Sequence, residues 1–176
     1  MSNVDTFAQT ANELCEKALN EARAELHPLL RRVDVHRLEK RNDFLEAFKA
    51  AMEKHVAKRL AAWQPSIQSV FRFDESHANH DPTWDGRIHL LVKVPRVSNA
   101  IKSFERTLDK YLLGYLSRQL GWSRFQEQGS ILDVQQVTVN ELRHGVSYGA
   151  MFRAVYSVPV KVWPLKKPKY SVPHVQ

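Results

Sequence analysis

One cysteine and six glycines in 176 residues exclude several kinds of protein. Cys15 alone cannot close an intramolecular disulfide or furnish a thiolate-rich zinc site, and its place on the apolar side of a helical pattern reads as a small buried hydrophobe. The glycines are scattered, so neither a phosphate-cradling loop nor a dinucleotide-binding fingerprint exists. A Gly-x-Ser-x-Gly elbow is absent too, and no Ser or Cys is flagged as a nucleophile by a strand-to-helix turn. No apolar run approaches the roughly 20 residues that a membrane-spanning helix needs. The first residues lack the basic-then-apolar pattern of a secretory signal. These absences predict a non-enzymatic protein with no cofactor and no membrane partner, resident in a cytoplasm.

What is present is an uneven charge. Residues 1–95 hold 14 Lys/Arg and 14 Asp/Glu and net to zero, whereas residues 96–176 hold 12 Lys/Arg against 5 Asp/Glu. The second half therefore supplies the whole formal charge of +7. A neutral first half followed by a basic second half predicts one charged face or tail offered to an acidic partner. Hydrophobic residues make up 43% of the chain and charged residues 26%, enough for a core without staples and too apolar for global disorder.

Periodicity orders the elements. Phe7, Ala11, Leu14, Ala18, Ala22 and Leu26 recur at helical spacing, with Asp5 or Thr6 as N-cap and Pro28 closing the run. Asp34 caps a second helix carrying Val35, Leu38, Leu45, Phe48, Met52, Val56, Leu60 and Trp63, which Pro65 stops. Two amphipathic helices with a short link predict an antiparallel hairpin. The period then changes to two: Ile67, Ser69, Phe71 and Phe73 form one strand, and Ile88, Leu90, Val92 and Val94 a second. Ser98 caps a long third helix with Val97, Ile101, Phe104, Leu108, Tyr111, Leu112 and Tyr115 on one side, and Gly121 follows its last turn. Ile131–Leu142 is strand-like. Tyr148, Ala150, Phe152, Ala154, Tyr156, Val158, Val160 and Val162 then alternate without a break. As one strand that segment would span ~50 Å, so a bend or an edge position is expected at Pro159.

The fold class predicted is α+β: an N-terminal helical hairpin (1–64), a mixed four-stranded ββαββ sheet under one long covering helix (65–163), and a basic, Pro-rich arm (164–176). The hairpin is expected to cover the sheet's other face or to project outward.

Three groups of residues carry candidate chemistry. His77, His80 and Asp81 lie in a turn-rich stretch beside Asp74, Glu75 and Asp85, and imidazole with carboxylate would suit zinc, manganese or iron. The same residues favour turns through local hydrogen bonds, so a solvated loop is the plainer reading. Lys102, Arg106, Lys110 and Arg118 lie on the side of the third helix away from its apolar stripe, interrupted by Glu105 and Asp109. Arg153, Lys161 and the arm's Lys166, Lys167 and Lys169 extend the basic set. Interleaved Phe125, Tyr148, Phe152, Tyr156, Trp163 and Tyr170 could stack on bases of a single strand, although period-two spacing favours sheet core. His36, His55 and His89 read as ordinary surface or interface histidines.

The stretch 67–163 carries a family resemblance. It comprises the strand Arg87-Ile88-His89-Leu90-Leu91-Val92-Lys93-Val94, the helix Asn99–Leu120 and two closing strands ending Gly149-Ala150-Met151-Phe152-Arg153-Ala154-Val155-Tyr156-Ser157-Val158. In element order and closing hydrophobic strand it resembles phage tail-terminator and tail-completion proteins, which form rings at the virion neck on a mixed sheet flanked by helices. The resemblance implies a virion location and a ring-forming role, and it assigns no site residue.

The function expected is a structural subunit, either a homo-oligomer or part of a multiprotein complex. It would dock through a sheet edge and through the arm, with Trp163 and Tyr170 as anchors. The alternatives are a sequence-tolerant nucleic-acid binder using the basic half, and a metal-dependent enzyme at His77 and His80.

Overall fold

The computed structural model describes residues 3–73, 86–125, 129–154 and 158–165. Three long helices occupy one side of a four-stranded sheet. Helix α1 (Asn3–Glu25) presents Ala11, Leu14, Cys15, Ala18 and Ala22 to the interior, all buried. The small residues let α1 lie close along α3 (Asn42–Trp63), whose own Ala51, Ala57 and Ala61 are buried. The link between them is more elaborate than a turn. A 3-10 segment (Pro28–Leu30) and a one-turn helix α2 (Val35–Leu38) precede α3, so the single helix expected from Val35 to Trp63 is divided at Glu39–Arg41. The Asp34 carboxylate accepts from the His36 amide as the expected cap. Arg31 donates to the carbonyls of Ala24 and Leu26, satisfying the C-terminal end of α1 that Pro28 leaves open.

The sheet contains β1 (Ser69–Arg72), β2 (Ile88–Val94), β3 (Leu132–Thr138) and β4 (Val160–Trp163), in the order β3-β2-β1-β4. Strands β2 and β3 run parallel, while β1 is antiparallel to both β2 and β4, so the sheet is mixed as expected. The crossover from β2 to β3 passes through α4 (Asn99–Gly114), capped by Ser98 and continued by a π-helical turn over Tyr115–Gln119. Gly121 follows at φ 64, a left-handed conformation that glycine adopts without strain.

One face of the sheet (Val70, Ile88, Leu90, Val92, Val94, Leu132 and Val134) joins α1, α3 and α4 in a single apolar core. The helical hairpin therefore neither projects nor takes the opposite face. It shares a face with α4, because the apolar stripe of α3 is wide enough to pack against both α1 and the strands while most of its polar positions stay exposed. Phe44, Phe48, Trp122 and Phe125 close one end of this core with ring centroids 5.2–6.3 Å apart.

The other face holds Phe71, Phe73, Leu91 and Val137, and here the structure departs most from the periodic reading. Strand β3 ends at Thr138, where a reciprocal capping box with Glu141 starts helix α5 (Val139–His144) inside the expected strand Ile131–Leu142. Ser147–Arg153 is then a 3-10 helix, so only Val160–Trp163 of the expected long strand is extended. The physical reason is burial. Leu142, Tyr148, Met151 and Phe152 cover the second sheet face, with Phe152 edge-on to Phe71 at 4.8 Å, and an extended segment would leave Leu91 and Val137 bare.

Candidate docking edge and basic face

The two edges of the sheet are treated in opposite ways. The outer edge of β3 is sealed by polar side chains of α4. Asp109 Oδ1 accepts from the amides of Ile131 (2.8 Å) and Leu132 (2.7 Å). Glu105, 8% exposed, accepts from the Val134 amide at 3.0 Å. Lys102 donates to the Val134 carbonyl and lies 2.9 Å from Glu105. Farther along, the Gln136 side chain both accepts from and donates to the backbone of Ser98. From Ile131 to Val134 side chains of α4 thus replace a neighbouring strand, and that part of the ladder no longer invites pairing.

The acids that interrupt the basic side of α4 in sequence are therefore structural. They face the strand edge rather than a phosphate-tracking groove. Lys102, a candidate anion contact by sequence, is committed to the same seam. Arg106 and Lys110 are exposed on α4, one helical turn apart. Arg118 is exposed too, with its guanidinium folded over Gly114. Arg153 donates to the Arg143 carbonyl at 2.7 Å.

Lys161 and Trp163 stand on β4, at the opposite edge of the sheet from α4. Among the described residues β4 pairs only with β1, and its other side has no strand. Val158 is 49% exposed, Val160 52% and Leu165 62%, while Trp163 packs partly against the core. Lys161 is exposed, and Pro159 and Pro164 bracket the strand. Beside it the Arg72 side chain, 47% exposed, reaches Glu53 of α3 at 3.5 Å. Lys166, Lys167, Lys169, Tyr170, His77, His80 and Asp81 lie outside the described residues, as does Tyr156.

Among the described residues, three of the interleaved aromatics pack inward, as their spacing favoured. Phe125 is 1% exposed within the Trp122 cluster, and Tyr148 and Phe152 pack on the second sheet face. Cys15 is fully buried, and burial pushes its thiol well above the ordinary cysteine range, so it is no thiolate nucleophile.

His89 is not a surface histidine. It is 2% exposed, stands opposite Asp133 in the β2/β3 register, and its Nδ1 lies 3.1 Å from Asp133 Oδ2. That hydrogen bond holds the Asp133 carboxyl below the usual carboxylate range. Gln135 donates to the other carboxylate oxygen, and the imidazole lies against Phe73 at 5.3 Å. Among the described residues no three His, Cys, Asp or Glu side chains are grouped to hold a metal ion, and no helix is long and apolar enough to cross a membrane.

Sequence reasoning missed Glu105 and Asp109 as edge caps. Their signal was faint: acids four apart on the flank of a crossover helix, next to its apolar stripe. The edge position expected near Pro159 is where β4 lies, but its shortness was not foreseen, because a short strand and a long one share the same alternation.

No family model, curated protein or solved structure matches this chain.

Proposed function

We propose that the protein is a non-enzymatic assembly subunit that docks into a larger complex through the β4 edge and the basic arm that follows it. The observation that carries this reading is the asymmetry of the sheet. One edge is closed by three side chains of α4, Lys102, Glu105 and Asp109, whereas the other presents Val158, Val160 and Leu165 to solvent. Folds avoid leaving a strand edge and apolar side chains exposed together unless something covers them. Of the features that carried the resemblance to phage neck and tail-completion proteins, strand β2 and helix α4 are present, whereas the closing strand expected over Gly149–Val158 is a 3-10 helix to Arg153.

A nucleic-acid-binding role draws on exposed Arg106, Lys110 and Arg118, but Phe125 is buried and Tyr148 and Phe152 are half-buried against the second sheet face, which weakens those three as platforms for bases. A metal-dependent role at His77 and His80 has no described residues to support it.

The test is site-specific photo-cross-linking in cells that express the full chain, with the photoreactive residue at Val160 and, as control, at Arg106. A discrete heavier product from Val160 and none from Arg106 is the expected result. A product from Arg106 alone, or single-stranded nucleic-acid binding that weakens steeply with salt, would overturn the docking role.

A further inference from the structure

We infer that the β4 edge accepts an extended acidic segment of another protein as a fifth strand, and that Lys161 selects it while turning away a second copy of this chain. This rests on the docking role proposed above and names the partner's chemistry.

The β4 edge is short and guarded. It has four residues, its pairing with β1 shifts register between Val70 and Phe71, and a proline stands on either side of it. These are devices by which sheets resist indiscriminate pairing, and a lysine in the middle of an edge strand is another. Here they are combined with solvent-facing valines, which such devices usually replace. The combination narrows the choice of partner without closing the edge.

Register defines what the partner must bring. Lys161 stands opposite Phe71, and Val160 opposite Arg72, so the lysine and the valine point to opposite faces of the sheet. A fifth strand would therefore place one side chain beside the Lys161 ammonium and the next beside exposed Val160. The fitting pattern alternates acidic and apolar residues.

A second copy fits badly. Pairing β4 with itself antiparallel about a two-fold axis sets the two Lys161 side chains directly opposite or on the diagonal, within roughly 8 Å. Like charges at those positions oppose pairing, whereas a carboxylate there favours it.

The test uses the full chain and fluorescein-labelled octapeptides, read by fluorescence anisotropy at low salt. One peptide alternates Glu and Val, one alternates Lys and Val, and a third is the Glu/Val peptide N-methylated at alternate residues. N-methylation keeps the charge and removes ladder donors. The Glu/Val peptide is expected to bind roughly fivefold to tenfold tighter than the Lys/Val peptide, the swing of a cross-strand charge pair from attraction to repulsion. Lys161→Glu, at an exposed site, should reverse that order while leaving the thermal midpoint unchanged. The N-methylated peptide should lose binding.

Equal affinity for the two charge types, or full binding of the N-methylated peptide, overturns the charge-selected strand while leaving a Val160 cross-link as support for docking. Concentration-dependent dimerisation of the full chain that Lys161→Glu abolishes makes the second copy the occupant and likewise overturns it. Loss of the Val160 cross-link instead overturns the docking role itself.

Discussion

Replacing Asp109 with alanine tests whether the helix layer really closes the β3 edge. One carboxylate oxygen accepts two consecutive backbone amides, at 2.8 and 2.7 Å, from residues that are 1% and 2% exposed. Hydrogen bonds to a charged group contribute about 1.5–3 kcal/mol each, and an amide left unsatisfied carries a desolvation cost of similar size. Because both amides share one oxygen and the two effects do not add fully, we expect Asp109→Ala to destabilise by about 3 kcal/mol. For a chain of this length that is a fall in thermal midpoint of roughly 6–12 °C. Asp109→Asn keeps an acceptor without its charge and should lose about half as much. Circular dichroism melts of both variants at neutral pH give the comparison, and amide exchange at Ile131 and Leu132 should quicken in parallel. A midpoint within about 2 °C of the parent for Asp109→Ala would refute the edge-sealing role, and equal losses for the two variants would refute its dependence on charge.

Other changes probe other contacts. A Cβ on Gly149 would sit 2.1 Å from the Glu141 carbonyl oxygen, a backbone atom that cannot give way, so Gly149→Ala should detach the 3-10 segment from α5. That would be read as raised dye binding to the bared second sheet face, and its absence would contradict the packing. Trp122→Phe removes an indole N–H that donates to Val35 at 3.2 Å and shrinks a fully buried side chain against Phe48. A loss of about 2–3 kcal/mol in urea unfolding is expected, and a loss below about 1 kcal/mol would show the cluster to be loosely packed.

The Asp133 carboxyl is held below its ordinary value by the His89 hydrogen bond, so its contribution is complete above that ordinary value and fades as pH falls through the lower folded one. The parent's advantage over Asp133→Asn should therefore be constant near neutrality and shrink below about pH 4. An advantage unchanged down to pH 2.5 or so would count against it.

Much of this fold was legible in the order of residues because its signals are local. The period-3.6 stripes of α1, α3 and α4 and the caps at Asp34 and Ser98 depend on neighbours within a few positions. So does the alternation of β2. The alternating run from Tyr148 misled because the same residues carry a second spacing. Tyr148, Met151 and Phe152 are three and four apart, and they fit a tight helix as well as alternate ones fit a strand. Which spacing prevails depends on whether a distant surface needs covering, and Phe71, Leu91 and Val137 supply that surface. The candidate site was legible only as composition. Lys161 and Lys102 looked alike as cations, yet one is exposed on an open edge and the other is bound to a carbonyl and a carboxylate.

By itself the chain of residues determined the helix stripes, the caps, the mixed α+β class and a positive charge confined to its second half, since each follows from spacing or counting. Tertiary structure decided which side of the sheet the hairpin takes, which segment coils to cover the opposite side, and which of two strand edges is sealed. Those outcomes turn on contacts between residues tens of positions apart, such as Asp109 with Ile131 or Phe71 with Phe152, where close packing and satisfied amides outweigh local preference.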